Sequence, residues 1–168
     1  MKKLWIVLLL TLMLSMTGCS IEDTLETISD LYDVPVMAQM QQVELALPKE
    51  AVTPSMENPE AGKLYLCDGY TLTVQTMESG DLDSTLRQLS GFEKSQLTLM
   101  QTRRADADCY ECVWTGAGEG GDQMCRAMVL DDGSFHYAVT VMAAAEDAGG
   151  LAKTWQTIFD SVKLNSTD

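Results

Sequence analysis

Two Asp-Gly dipeptides, Asp68-Gly69 and Asp132-Gly133, do more than any other feature to limit how this chain folds. Each lies between runs in which apolar and polar residues alternate: Lys63 to Cys67 and Tyr70 to Met77 around the first, Gln123 to Leu130 and Phe135 to Met142 around the second. Tight hairpin turns need positive φ, which Gly adopts freely and Asp tolerates, so the pattern predicts two antiparallel hairpins. A two-residue turn at Asp68-Gly69 sets Tyr65 opposite Leu72 and Leu64 opposite Thr73.

Other segments fill in around these hairpins. Val43-Glu44-Leu45-Ala46-Leu47 alternates and stops at Pro48, as a strand would. Ala51 to Gly62, with Pro54 and Pro59, reads as a surface loop. Asp81 can cap a helix whose Leu82, Leu86 and Leu89 form one apolar stripe and which Gly91 is placed to end. Gln96 to Arg103 and Ala107 to Trp114 read as strands, followed by a long, flexible glycine-rich loop, Thr115 to Asp122. Leu151, Trp155, Ile158, Phe159 and Val162 mark an amphipathic closing helix. With no strand-helix-strand alternation, the fold expected over residues 43–168 is a single α+β domain: an antiparallel-rich sheet of about six to seven strands with two packed helices.

The N-terminus is of a different kind. Lys2 and Lys3 precede an apolar run from Leu4 to Leu14, broken only by Thr11, and small residues then lead to Cys19. Basic start, apolar middle and small-residue exit are the layout of a signal peptide, here residues 1–18, and the run is shorter than the ~20 residues a membrane-spanning helix needs. Met16-Thr17-Gly18-Cys19 resembles the lipobox of bacterial lipoproteins. That resemblance implies cleavage before Cys19 and a diacylglycerol on its sulfur, which is enough for stable anchoring. Residues 19–42, rich in Asp and Glu, are then either an acidic tether or, from the spacing of Ile21, Leu25, Ile28 and Leu31, partly helical. The expected location is outside the cytoplasm, lipid-anchored to the cell membrane, or to an outer membrane if the source has one.

Charge narrows the partners. The chain carries a formal −14, and loss of Lys2 and Lys3 makes the remainder more acidic still. Such a surface lacks the footprint of a phosphate-backbone binder, so nucleic acid is excluded as a partner. An envelope protein or a small ligand near the membrane remains.

Chemistry-bearing residues are sparse. His136 is the only histidine and lies in an alternating run without a G-x-S-x-G nucleophile. Cys109-Tyr110-Glu111-Cys112 spells C-x-x-C, but strand residues three apart point to opposite faces, which argues against a shared metal, and a thioredoxin-like redox motif would open a helix after a strand, which this one does not. Gly116-Ala117-Gly118-Glu119-Gly120-Gly121 lacks the Lys-Ser/Thr of a phosphate loop, and Asp106, Asp108, Glu111, Asp131 and Asp132 do not form a calcium-loop series. No catalytic residue, metal or other cofactor is assigned. The alternative is an envelope hydrolase or thiol redox enzyme built on His136 or the cysteine pairs, which would need a pocket with convergent polar groups.

The opening strand ending at Pro48, the glycine-ended helix from Leu82 to Gly91 and the closing Trp155-Gln156-Thr157-Ile158-Phe159-Asp160-Ser161-Val162-Lys163-Leu164 together resemble the PsbP-like fold group, which includes DcrB-type lipoproteins. The resemblance implies a non-catalytic binding or accessory role in the cell envelope and carries no catalytic residue across.

Four cysteines remain after Cys19. A hairpin with Trp114 opposite Gln123 would set Cys112 opposite Cys125 and Glu111 opposite Arg126, two features agreeing on one register. A Cys112–Cys125 bridge is then within reach, with two buried free thiols as the alternative.

Overall fold

A computed structural model describes residues 38–53, 62–104, 106–118 and 120–166. The signal segment, Cys19 and the tether as far as residue 37 lie outside the described residues.

In chain order the elements are β1 (Gln42–Glu44), β2 (Lys63–Cys67), β3 (Tyr70–Glu78), α1 (Leu82–Ser90), a 3-10 turn (Lys94–Gln96), β4 (Thr98–Arg104), β5 (Ala107–Gly118), β6 (Gly121–Asp131), β7 (Phe135–Ala144), α2 (Ala148–Ser161) and β8 (Lys163–Asn165). The fold is α+β. Six strands form one antiparallel sheet in the order β2-β3-β7-β6-β5-β4, and β1 pairs with β8 in a separate two-stranded ribbon. After the β2–β3 hairpin the chain crosses through α1 to the far edge. It then returns by the β4-β5-β6-β7 meander until β7 docks on β3.

Local chemistry sets these pieces. Around Asp68-Gly69, with Gly69 at φ 77, Tyr65 pairs with Leu72 and Leu64 with Thr73, the register the turn requires. The Asp81 carboxylate accepts the Asp83 amide at one end of α1, and Gly91 at φ 77 closes the other by returning its N–H to the Arg87 carbonyl. At the second hairpin Asp131 pairs with His136, and the Asp132 carboxylate accepts the Ser134 and Phe135 amides at 2.9 and 2.7 Å.

Alternation along the strands builds a core on each face. On one, Leu72, Met128, Leu130, Tyr137, Val139 and Val141 meet Trp155, Ile158 and Phe159 of α2. On the other, Cys112, Ala127, Val129 and Ala138 meet Leu86 of α1, with Leu82, Leu89 and Trp114 at the margin. Each buried Leu, Ile, Val, Met or Phe among them contributes about 2 kcal/mol relative to exposure. Arg126 ties the α2 layer down: its guanidinium sits 4.7 Å from the Phe159 ring centre and 2.7 Å from the Glu111 carboxylate.

Two expectations are corrected. The long glycine-rich loop is not one, because β5 runs on to Gly118 and β6 resumes at Gly121. Glycines weaken strand propensity without forbidding extended backbone, and pairing to long neighbours carries the ladder through. The hairpin is therefore tighter, and its register moves by two residues. Trp114 faces Cys125, Cys112 faces Ala127, and Val113 faces Arg126. A two-residue shift keeps every side chain on its face. Cys112 and Cys125 thus share a face as diagonal neighbours, not as a cross-strand pair, and Glu111 reaches Arg126 diagonally. All four described cysteines are free thiols.

Candidate functional site

A half-open groove of about 680 Å³ runs between the chain from Met40 to Leu47 and the β2–β3 end of the sheet. Its wall is the segment containing β1, which supplies Met40, Val43, Leu45 and Leu47, and its floor is Tyr65 from β2 with Val74 and Thr76 from β3. Alternation places Tyr65 and Val74 on the α2 side of the sheet, where both also pack against the core. Gln41, Gln42, Glu44 and Lys63 add polar groups. At one end Gly62, at φ 91, passes so close to β3 that a Cβ there would lie 2.2 Å from the Val74 carbonyl oxygen.

The wall is held by a clasp. Tyr137 on β7 donates its hydroxyl to Asp132 Oδ2 at 2.9 Å and accepts the Gln41 backbone N–H at 3.0 Å. The Gln41 side-chain amide donates to the same carboxylate at 3.1 Å. Farther along, the Ala46 N–H donates to Ser161 Oγ at 2.9 Å, at the end of α2. Burial works against ionisation of Asp132, but the Phe135 and Ser134 amides, then Tyr137 and Gln41, outweigh it and hold the carboxyl below its ordinary range. Burial first, and the Asp132 charge with it, push the Tyr137 phenol up to about 12, against the bond from the Gln41 amide.

His136 sits on the opposite face and is fully buried. Its Nε2 lies 3.3 Å from Asp131 Oδ2 and its Nδ1 2.7 Å from Thr85 Oγ1 of α1, with Ser79 Oγ 3.4 Å from Nε2. An ionised carboxylate only accepts, so Nε2–H donates to Asp131, while Nδ1 and the Thr85 hydroxyl share a hydrogen bond on the other side of the ring. The chain of groups has the order of a hydroxyl-imidazole-carboxylate triad. Its hydroxyl is closed off, however, with Thr85 5% exposed and His136 0%. No residue of this cluster lines the groove.

No protein-family model matches the chain, and no curated protein matches it significantly. Solved structures do. CyanoP, the cyanobacterial PsbP of Synechocystis, superposes with a TM-score of 0.55 at 10% identity, over 79% of this chain and 96% of that one. The fold is PsbP-like. LpqN, involved in cell envelope biogenesis of Mycobacterium tuberculosis, superposes at 0.53 with 10% identity, over 76% of this chain and 86% of that one. A Bacteroides thetaiotaomicron protein follows at 0.51 and 13% identity, over 74% of this chain but 45% of the other. At these identities the likeness is one of architecture.

Within this PsbP-like frame the C-x-x-C residues are divided by the sheet: Cys109 belongs to the α2-side core and Cys112 to the α1-side core. Burial pushes all four described thiols up, Cys112 to about 11, and so keeps them protonated at neutral pH. Among the described residues no cluster of three or more His, Cys, Asp or Glu is placed to hold a metal ion. Sequence reasoning missed the groove, the clasp, the Thr85 partner of His136 and the strand β8. The Asp132-Gly133 turn was the one local signal near the clasp, but nothing in it points to Gln41, 91 residues earlier.

Proposed function

We propose that this protein is a membrane-anchored, extracytoplasmic lipoprotein whose PsbP-like domain is a non-catalytic binding or accessory module of the cell envelope. One observation carries the reading. Among the described residues one cavity is an apolar groove with a fixed wall, whereas the histidine cluster is sealed between α1 and the sheet. Apolar clefts with a few placed polar groups are where proteins hold ligands. Support for the compartment comes from the signal layout ending at Cys19, and from LpqN, a structure of the same fold involved in envelope biogenesis. The enzyme alternative loses ground because neither Thr85 nor His136 is open to a substrate.

Two measurements test this. Cys19→Ala should abolish metabolic labelling with an alkyne fatty acid and move the protein out of the membrane fraction. Unchanged partitioning would mean that an uncleaved signal helix is the anchor. A photo-crosslinking residue at the groove rim position Leu47 should capture a bound molecule in native membranes, whereas one at the exposed Val113 should not; equal capture at both sites would remove the groove from the proposal.

A further inference from the structure

We infer that the groove takes an amphiphile: an alkyl chain against the apolar wall and floor, with a single negative charge on its head group beside the Lys63 ammonium. This rests on the groove being the binding site and adds the chemistry of what it binds.

Three observations point to that ligand. The surface offered is mostly hydrocarbon: Val43, Leu45, Tyr65 and Val74 line it, and Met40 and Leu47 stand at its rim 51% and 43% exposed. Its volume of about 680 Å³ suits a small ligand. An extended peptide would bring one N–H and one C=O per residue, each needing a partner. Few side-chain partners are on offer, because the Glu44 carboxylate accepts from Asn165 at 2.7 Å and the Gln41 amide donates to Asp132, and backbone partners are left at the outer edge of β2, an end strand of the sheet. An alkyl chain makes no such demand.

Lys63 supplies the second observation. It lies on the same side of β2 as Tyr65 and lines the groove, yet it makes no ion pair among the described residues, in a chain with 25 acidic and 11 basic side chains. A lysine stem can lie along apolar surface while its ammonium stays in water, which places the charge where a head group would leave the groove. Glu44 is the third. A carboxylate lining the same groove opposes negative charge, so with a single Lys63 ammonium to offset it the head group carries no more than one. The acidic surface repels anions at long range, but salt screens this beyond roughly 8 Å. Affinity therefore comes from buried apolar area, and Lys63 sets the choice of head group.

The test uses the chain from Ser20 onward, which contains every described residue, titrated calorimetrically with dodecanoate, dodecanol and dodecylammonium below their micelle concentrations. Dodecanoate should bind saturably at one site, about fivefold more tightly than dodecylammonium, in line with one exposed charge contact. Lys63→Met, which keeps the stem, should remove most of that preference, and Lys63→Glu should reverse it. Val74→Asp should abolish binding of every dodecyl probe. Should that variant fail to fold, Leu47→Gln at the exposed rim should weaken all three probes alike, and Val113→Asp should change none. Equal affinity for the three probes in the unaltered chain, still lost in Leu47→Gln, would overturn the anionic head group and leave the groove intact. No saturable binding of any dodecyl probe would overturn the amphiphile, while rim-specific crosslinking at Leu47 would still stand or fall separately. Self-association in sedimentation that Leu47→Gln abolishes would overturn it in favour of a second copy of the chain.

Discussion

Adjacent acids in the β6–β7 hairpin serve opposite faces of the sheet, and the two clusters they organise differ in one respect that matters for function. Asp131 partners His136 and, through it, Thr85 on α1; that cluster is shut inside the protein. Asp132 partners Tyr137 and Gln41, and that cluster holds the wall of an open groove. Both are built from the same groups, a carboxylate, a ring with a polar tip and a hydroxyl or amide. What separates them is the covering element. α1 is laid flat on the sheet by three leucines and seals its side, whereas the β1 segment is tied at Gln41 and at Ala46 and leaves space beneath. A triad-like order of groups is thus no guide to catalysis when its hydroxyl is shut off from solvent.

That contrast can be broken in measurable ways. His136→Leu should have the largest effect, because it leaves the buried Thr85 hydroxyl without a partner, at about 1–3 kcal/mol, and takes one hydrogen bond from the part-exposed Asp131 carboxylate. A loss of about 3 kcal/mol in denaturant unfolding is expected; a near-neutral result would mean that α1 is held by its leucines alone.

Gly62→Ala comes next, at about 2 kcal/mol, since the new Cβ meets the Val74 carbonyl oxygen and the backbone stays at positive φ. The same variant should weaken ligand capture at Leu47, which His136→Leu should spare in protein that remains folded. Thermal melts and crosslinking together check this pair.

Asp132→Asn should have the smallest effect, about 1 kcal/mol from weakened charge-assisted bonds. Its signature is in pH. The folded carboxyl is held below its ordinary range, so its contribution is fully present above the ordinary carboxylate value and is lost as pH falls through the lowered one. Melts of the unaltered protein should show this acid-limb loss, and the variant should lack the Asp132 part of it. Amide exchange at Gln41 should quicken in the variant while that of α1 does not change.

Reading residues in order identified the pieces whose causes lie within a few positions of one another. Asp68-Gly69 set the β2–β3 register residue by residue, Asp81 and Gly91 bounded α1, and the spacing of Leu151 to Val162 marked the face α2 buries. Turn geometry, capping and side-chain periodicity act over two to four residues, so sequence alone determined them. The β5–β6 register escaped it because the glycines between Gly116 and Gly121 suit either a loop or an extended ladder, and only pairing across the sheet decides. The groove wall, its clasp and the partners of His136 were beyond it for a plainer reason. Gln41 meets Tyr137 across 96 residues, Ala46 meets Ser161 across 115, and Thr85 meets His136 across 51. No short-range preference encodes such meetings; they exist only once both cores have closed and brought the far ends of the chain to the same hairpin.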